Sequence, residues 1–300
     1  MLGTMDCHGL TDAGLVRRNN EDQFLIADLR KSVTIHHTSL SYDEETELHG
    51  GSQAKLLLVA DGVGGSAAGE RASSLALEGV VQYLLNAMHW LFRVDSDRDD
   101  EFFRDLKSAL SWSQEKIQHA AEANPQQAGM GTTLTMAYLV WPRAYFVHVG
   151  DTRAYLYRGS DLVQLTHDQT IAQMLADAGV ISAEEVDDHP FHHVLGSLLG
   201  CDVNQLEPAV YKTELRYGDQ LLLCTDGLPR HVDDERIVQI LSSAGNSERA
   251  CQELIAAANE GGGSDNITAV LARFSESSTD SDFAAEAAAE AGLSGTMETQ

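Results

Sequence analysis

The sequence predicts an α+β protein in which helices cover antiparallel sheets. Three strand-like segments lie between residues 132 and 157, and their close spacing suits hairpins, because a parallel pair needs a longer crossover connection. Helical patterns occur in two separate pairs, one before and one after these strands. No linker rich in Pro, Gly or Ser divides the 300 residues, so we expect one domain over residues 1–275.

The first half of the chain contains strand-like segments at 22–27 and 55–60. The polar stretch between them, 30–54, is interpreted as a hairpin or a surface insertion. Apolar residues recur at helical spacing over 67–92 and again over 101–123. These two segments are the first predicted pair of helices.

The second half of the chain contains a longer series of short elements. Strands are predicted at 132–140, 144–149, 153–157, 209–215, 220–225 and 266–274. Helices are predicted at 168–178, near Ala183, at 233–243 and at 247–260. Residues 276–300 contain no Lys or Arg and are rich in Ala, Ser and acidic residues, so we predict a disordered tail there.

The formal net charge of −26 excludes some classes of partner. An acidic surface repels nucleic acid and anionic membranes, so we expect neither as a partner. The four cysteines form no C-x-x-C pair, which argues against a disulfide framework. The start of the chain lacks the pattern of a secretory signal, and polar residues interrupt the most apolar helical stretch. We therefore expect a cytoplasmic protein.

Three aspartates lie next to glycine at the ends of apolar strands. Asp61 and Asp226 each follow an apolar run and precede a glycine, and Asp265 lies just before the last predicted strand. A carboxylate at the mouth of a buried strand is unfavourable unless a cation meets it. Because no basic cluster lies beside these residues in the sequence, we expect a hard divalent ion, Mg²⁺ or Mn²⁺.

Further residues extend this candidate metal site. Gly62 allows its backbone carbonyl to approach a metal. Glu21 and Asp22 can bind a metal or hold its waters, and Arg17 suits two oxygens of a phosphate group. Asp151 lies in a tight turn, and each of these features alone is also common in ordinary turns and surfaces. Together they favour two ions, roughly 4 Å apart, that activate a water for attack on phosphorus.

The ordered set of motifs resembles the metal-dependent protein serine/threonine phosphatases of type 2C, and their bacterial members in particular. The resemblance covers about residues 8–274 and implies a four-layer α-β-β-α sandwich with the metals in a cleft at one edge. The matching stretches are 14–17, 20–22, 59–65, 131–133, 149–153, 165–168, 223–228 and 264–268.

The resemblance implies a role for each candidate residue. Asp61 bridges two ions, Gly62 contributes its carbonyl to one of them, and Asp151 serves a third, weaker ion. Arg17 holds the substrate phosphate, and a metal-bridging hydroxide attacks in line without a phospho-enzyme. The implied metal-site residues are Glu21, Asp22, Asp61, Gly62, Asp151, Asp226 and Asp265.

The resemblance also implies partners and a movable segment. The substrates are phosphoserine and phosphothreonine in proteins, and the reaction opposes a bacterial Ser/Thr kinase. Residues 171–201 match the flap beside the cleft. We expect a monomer, because this chemistry needs no second subunit.

Two positions depart from the family pattern. Val63 stands where some relatives have a histidine that acts as general acid, so the leaving-group proton must come from metal-bound water or another group. Gln169 stands where the family often has histidine, and we expect it to loosen the hinge of the flap.

Two other functions are compatible with parts of this pattern. A non-catalytic phosphoprotein-binding protein would lack metal ligands, and none is missing here. A phosphodiesterase or nuclease is disfavoured by the acidic charge and by the absence of histidine at the candidate ligand positions. The sequence leaves the choice between Mn²⁺ and Mg²⁺ open.

Overall fold

Two antiparallel sheets pack face to face, and a pair of helices covers the outer face of each. The computed structural model describes residues 4–37, 39–41, 45–64, 68–86, 99–201 and 206–276. The strands are β1 (Thr4–Asp12), β2 (Asp22–Ile35), β3 (Thr46–Val63), β4 (Gly131–Thr132), β5 (Leu134–Val140), β6 (Arg143–Val149), β7 (Arg153–Arg158), β8 (Asp161–Gln164), β9 (Ala209–Glu214), β10 (Gln220–Cys224) and β11 (Ile267–Ser275). The helices are α1 (Ala68–Asn86), α2 (Asp99–Ala123), α3 (Ile171–Asp177), α4 (Asp234–Ser243) and α5 (Ser247–Glu260).

The strand order places neighbours in sequence beside each other in space. Within the described ranges, one sheet has the order β2-β3-β5-β6-β9, and β4 pairs with the end of β3. The other sheet has the order β1-β11-β10-β7-β8. The pairings between these strands are antiparallel, as the hairpin spacing predicted.

Successive residues of the central strands face opposite layers. In β3, Leu56 and Leu58 pack against α1 and α2, whereas Leu57 and Val59 pack against the other sheet. In β10, Leu222 faces α4 and α5. Strands buried on both faces have continuous apolar sequences instead of an alternating pattern. The layers are helix, sheet, sheet and helix, which confirms the predicted four-layer sandwich.

Several elements differ from the prediction. β1 and β8 were not predicted, and pairing with β11 and β7 stabilises them. The helix expected at 168–178 begins only at Ile171, because Asp168 binds Arg153 and the Thr170 hydroxyl caps the helix by accepting from the backbone N–H of Gln173 at 3.2 Å.

The interpretation of 30–54 as a hairpin is confirmed by the long pairing of β2 with β3, which shifts register once, between Arg30 and Ser32. The end of the first predicted helix, 87–92, and the tail at 277–300 lie outside the described residues. In the part of the chain that the structure describes, no helix is both long and apolar enough to span a bilayer.

The candidate site residues lie where several strands end at one edge of the sandwich. Asp22 and Asp61 are paired in register at the ends of β2 and β3. Asp226 comes two residues after β10, and Asp265 comes two residues before its neighbour β11. Asp151 lies in the turn between β6 and β7. The antiparallel pairing therefore gathers residues that are far apart in sequence.

The contact between α1 and α2 is closest at Gly79. A Cβ atom there would lie 2.5 Å from Oγ of Ser113 and 2.8 Å from its Cα. We expect Gly79→Ala to lower the free energy of unfolding by about 1–3 kcal/mol, because such overpacking outweighs the helix propensity gained from alanine. Urea unfolding followed by circular dichroism measures this change.

Ser108→Ala is the matched control for this substitution. Ser108 is partly buried on α2, and its hydroxyl donates to the Arg104 carbonyl in the same helix at 2.9 Å. We expect its effect to stay within about 0.5 kcal/mol. Equal unfolding midpoints for the two variants would contradict the close approach of the helices at Gly79.

Candidate metal centre

A cleft of about 580 Å³ opens at the edge where these strands end. It is lined by almost all of the residues singled out in the sequence, and Asp22 lies buried behind it. The predicted residues at its wall are Arg17, Glu21, Asp61, Gly62, Asp151, Asp226 and Asp265. The fold thus brings together side chains separated by more than 200 positions in the sequence.

Asp22 connects the two sheets beneath this cleft. Its Oδ2 accepts hydrogen bonds from the hydroxyls of Thr225, at 2.8 Å, and Thr268, at 2.7 Å. Thr225 directly follows β10 and precedes Asp226, and Thr268 is near the start of β11. The other carboxylate oxygen of Asp22 is buried, and among the described residues it has no hydrogen-bond partner. Asp22 is therefore both a structural link and a carboxylate with one oxygen left for another ligand.

The backbone around Asp61 is fixed by the neighbouring strand segment. The Asp61 N–H donates to the Thr133 hydroxyl at 2.9 Å. Its carbonyl accepts from the Thr132 hydroxyl at 2.8 Å and from the Thr133 N–H at 2.9 Å. These three hydrogen bonds fix the Asp61 backbone, and the backbone sets the point from which its side chain enters the cleft.

Gly62 lies in a crowded part of the wall. A Cβ atom at this position would lie 2.2 Å from the carbonyl oxygen of Gly69 and 2.8 Å from that of Glu21. Only glycine allows β3 to pass this close to the start of α1. Because residue 62 has no side chain, none covers its carbonyl.

Burial and mutual repulsion raise the pKa values of the clustered carboxyl groups. Burial is the main cause in each case, and it raises the pKa of Asp22 to about 7 and that of Asp151 to about 8. The pKa of Asp61 is well above its usual range because burial is reinforced by four neighbouring acids. Burial also raises the pKa of Asp226, although the Arg230 charge opposes this. The cluster therefore favours binding of a cation.

Arginine side chains contact two of these carboxylates, which corrects the expectation that no basic group accompanies them. Arg17 donates to Asp265 at 2.9 Å, and Arg230 donates to the same carboxylate at 3.1 Å. Arg230 also binds Asp226, four residues earlier. Arg230 is not among the residues predicted from the sequence. It lies four residues after Asp226, a spacing that places two side chains on the same side of a helical turn.

Gln169 holds the flap segment to the cleft, so the expectation that it loosens the hinge is wrong. Its side-chain oxygen accepts from the Gly150 N–H at 3.0 Å, and its own N–H donates to the Gly150 carbonyl at 2.8 Å. Its carbonyl accepts from Gly196 at 2.7 Å. Gln169 therefore ties the turn that carries Asp151 to the far end of the flap.

The family model described as protein phosphatase 2C matches residues 36–272 of the sequence. The chain belongs to the protein phosphatase 2C family. The sequence motifs implied a sandwich with an acidic cleft at one edge. The two sheets, with a helix pair on each and the cleft at their edge, agree with this.

Named relatives and a solved structure of this family are similar over most of the chain. The chain is 35% identical to the serine/threonine protein phosphatase PstP of Mycobacterium tuberculosis over 263 residues, which are 87% of this chain and 43% of that protein. It is 30% identical to the serine/threonine phosphatase stp of Listeria monocytogenes over 261 residues, which are 87% of this chain and 92% of stp. It therefore spans less than half the length of the mycobacterial relative.

The crystal structure of the PstP catalytic domain in complex with two manganese ions has a TM-score of 0.68 to this protein. The two chains are 33% identical, and the match covers 91% of this chain and 99% of that one. Two metal ions are thus compatible with a fold of this kind.

The donor chemistry of the cleft fits divalent ions of the hard class. Asp22 and Asp226 each have one buried carboxylate oxygen without a hydrogen-bond partner among the described residues. Oxygen donors of this type suit Mn²⁺ and Mg²⁺. Across the described ranges, however, no three His, Cys, Asp or Glu side chains lie close enough to form a closed metal site. In this arrangement, Asp265 forms ion pairs with Arg17 and Arg230, and Asp226 forms one with Arg230.

The buried carboxyl groups make stability depend on pH when divalent ions are removed with EDTA. The folded-state pKa values of about 7 for Asp22 and about 8 for Asp151 exceed the ordinary value of about 4, so their contribution to stability is lost as pH rises through the folded-state values. We expect the Tm in EDTA to fall between about pH 6.5 and about pH 8. Burial lowers the pKa of His148 to about 4, so folded His148 is neutral over this range. Its opposing contribution is confined to the lower end of the range, where the unfolded histidine, with a pKa of about 6.5, loses its proton.

Differential scanning fluorimetry at these pH values tests this expectation. Asp22→Asn should make the decrease in Tm smaller, whereas Asp161→Asn, on the exposed part of β8, should leave it unchanged. Excess Mn²⁺ should raise Tm most at the upper end of the range, because the metal binds the deprotonated carboxylates. A wild-type Tm in EDTA that rises with pH would contradict the predicted pKa values.

Proposed function

We propose that this protein hydrolyses phosphoserine and phosphothreonine monoesters in proteins with two divalent ions held in the acidic cleft. The observation that carries the proposal is the convergence of Asp61, Asp226 and Asp265 on one cleft that also contains Arg17. The carboxylates suit Mn²⁺ or Mg²⁺, and the arginine suits a phosphoryl group. When bound, the ions would supply an activated water and offset the negative charge of the phosphoryl oxygens. The family relatives, which are named serine/threonine phosphatases, support the same reaction.

The proposed ligand assignment follows the family resemblance, and the residues it names line the cleft or lie buried behind it. By that resemblance, Asp61 would serve both ions. The carbonyl of Gly62 is assigned to the first ion, on the side of Glu21 and Asp22. The pair Asp226 and Asp265 is assigned to the second ion.

A third, weaker ion is proposed at Asp151. This residue lines the main cleft and also a neighbouring pocket of about 340 Å³, which it shares with Asp226 and with the flap residues His192 and His193. A carboxylate at this junction can meet a cation that enters from either space.

Arg17 is proposed to bind the phosphoryl group of the substrate. Its side chain is 54% exposed, whereas its partner Asp265 is only 15% exposed, so the guanidinium lies on the solvent side of the pair. A planar guanidinium donates two parallel hydrogen bonds to neighbouring oxygens of a phosphate. Arg17 would therefore orient the phosphorus for attack from inside the cleft.

Val63 and the flap shape the mouth of the proposed active site. Val63 is 40% exposed at the cleft wall. Its side chain has no acidic hydrogen, so water in the open cleft would protonate the leaving serine or threonine oxygen. Apolar flap side chains such as Phe191 and Val194 are also exposed. They offer contact area for the peptide on either side of the phosphorylated residue.

The biological setting belongs to the same proposal. We propose that the substrates are products of a Ser/Thr kinase, which this protein opposes. We also propose a cytoplasmic monomer in which residues 1–275 form the catalytic domain and residues 276–300 form an acidic tail rich in Ala and Ser. The acidic net charge of −26 favours protein substrates with basic segments over nucleic acids.

Removal of one metal ligand should abolish the metal-dependent reaction. For Asp226→Asn, we expect kcat/KM for a phosphothreonine peptide in Mn²⁺ to fall by more than the ~10–100-fold typical of residues that only support a ligand. EDTA should remove the activity of the wild type. Release of inorganic phosphate measures both effects.

Asp177→Asn is the matched control, since Asp177 lies on the exposed flap helix α3 and pairs with His167 outside the cleft. We expect its turnover to match that of the wild type. Normal turnover of Asp226→Asn would refute the assignment, and faster hydrolysis of bis-p-nitrophenyl phosphate than of p-nitrophenyl phosphate would favour a phosphodiesterase. Tight phosphopeptide binding without turnover would indicate a binding protein.

A further inference from the structure

Two arginines from different parts of the chain meet at a single carboxylate oxygen. The Nη2 atom of Arg17 lies 2.9 Å from Oδ2 of Asp265, and the Nη1 atom of Arg230 lies 3.1 Å from the same oxygen. Arg17 belongs to the connection between β1 and β2, whereas Arg230 belongs to the turn between β10 and α4. Both side chains line the main cleft. The two guanidinium groups therefore converge on a space that is occupied by one anionic oxygen.

The turn that carries Arg230 is held firmly against the neighbouring loop. The Arg230 N–H donates to the Asp226 carbonyl at 3.1 Å, which closes the turn after β10. The next residue, His231, accepts at Nε2 from the backbone N–H of Ser264 at 3.0 Å, and the Ser264 hydroxyl lies 2.8 Å from the same nitrogen. These contacts fix the turn to the loop of Asp265. The position of Arg230 relative to Asp265 is thus set by the backbone.

Arg230 also reaches the flap. Its Nη2 atom lies 3.3 Å from Nδ1 of His193, and the same nitrogen binds Asp226. The Arg230 side chain is 25% exposed, so solvent and a ligand can reach it. Arg230 lines both the main cleft and the neighbouring pocket under the flap.

Another arginine near the cleft, Arg153, binds different partners. Arg153 binds both oxygens of Asp168, at distances from 2.6 to 3.0 Å, and it also donates to the Tyr155 hydroxyl at 3.0 Å. This bidentate pair directs the guanidinium at Asp168 and anchors the start of the flap. Arg153 does not line the main cleft, whereas Arg230 does.

We propose that Arg230 is a second phosphate-binding residue, which binds the phosphoryl group together with Arg17. This inference rests on the proposed function. A phosphoryl group has three terminal oxygens, and one guanidinium fork pairs with two of them. Two guanidinium groups that already share one carboxylate oxygen, Oδ2 of Asp265, are close enough together to share the oxygens of one phosphoryl group.

The negative charge of the cleft explains why a second arginine would strengthen phosphate binding. Acidic residues surround the proposed phosphate position, and a phosphoryl dianion is repelled by each carboxylate that a metal does not neutralise. A second guanidinium beside the anion reduces this repulsion and adds charge-assisted hydrogen bonds. The alternative role for Arg230 is that of a counterion to Asp226 and Asp265 alone, and the two roles differ in what binds more weakly when it is removed.

Inorganic phosphate binding to the Mn²⁺-loaded protein tests the inference. Isothermal titration calorimetry would give the Kd for phosphate in the wild type and in Arg230→Gln, Arg17→Gln and Arg249→Gln. Arg249 is the matched control, since it forms an exposed i,i+4 pair with Glu253 on α5. We expect Arg230→Gln and Arg17→Gln each to weaken phosphate binding by about tenfold or more, the loss of one charge-assisted contact. Arg249→Gln should match the wild type.

Two further measurements separate phosphate binding from charge neutralisation. Arg230→Lys keeps the positive charge beside both aspartates but loses the fork, so we expect it to keep the wild-type Tm and to recover only part of the phosphate affinity. The Mn²⁺ affinity of Arg230→Gln, measured without phosphate, should equal or exceed that of the wild type, because the guanidinium and the ion share Asp226 and Asp265.

The outcomes distinguish this inference from the proposed function. Wild-type phosphate affinity in Arg230→Gln, whether or not its Mn²⁺ affinity changes, would overturn the phosphate-binding role and leave Arg230 as a counterion. Full recovery by Arg230→Lys would overturn the role of the fork. Absence of Mn²⁺-dependent turnover in the wild type would instead refute the proposed reaction.

Discussion

The gathering of carboxylates at one edge of the sandwich is the constraint on which the rest of this structure depends. Asp22, Asp61 and Asp151 are buried close to other acids, and burial and mutual repulsion make their ionised forms unfavourable without a cation. Arginines contact the neighbouring carboxylates of Asp226 and Asp265, and the buried free oxygens of Asp22 and Asp226 are suited to divalent ions. Local stability and the proposed chemistry thus have the same electrostatic origin.

The scaffold can hold these charges in place because each sheet is buried on both faces. Helices cover the outside, and the sheets cover each other, so the central strands are enclosed between closely packed apolar layers. Hydrogen bonds from Thr225 and Thr268 to Asp22 then join the two sheets directly beneath the cleft. Rigid strands carry the acids, and the flap is attached to them through Gln169.

Arginine pairing changes how the acidic cleft is understood. A cluster of aspartates alone suggests only a place for metal ions. The contacts of Arg230 with Asp226, Asp265 and His193 connect two of the proposed metal ligands with the flap. Under the proposed function, the binding of metal and phosphate and the position of the flap would depend on the same few charged groups.

The sequence by itself determined the fold class, the central strands and the acids of the site, because apolar runs and Asp-Gly turns are local patterns. It also contained the ordered motifs of the protein phosphatase 2C family. Only the tertiary structure decided the pairing of β1, the late start of α3 at Ile171 and the contacts of Arg230 and Gln169. These features depend on which distant segments become neighbours. Strand pairing and the face-to-face packing of the two sheets decide that, and no local pattern encodes them.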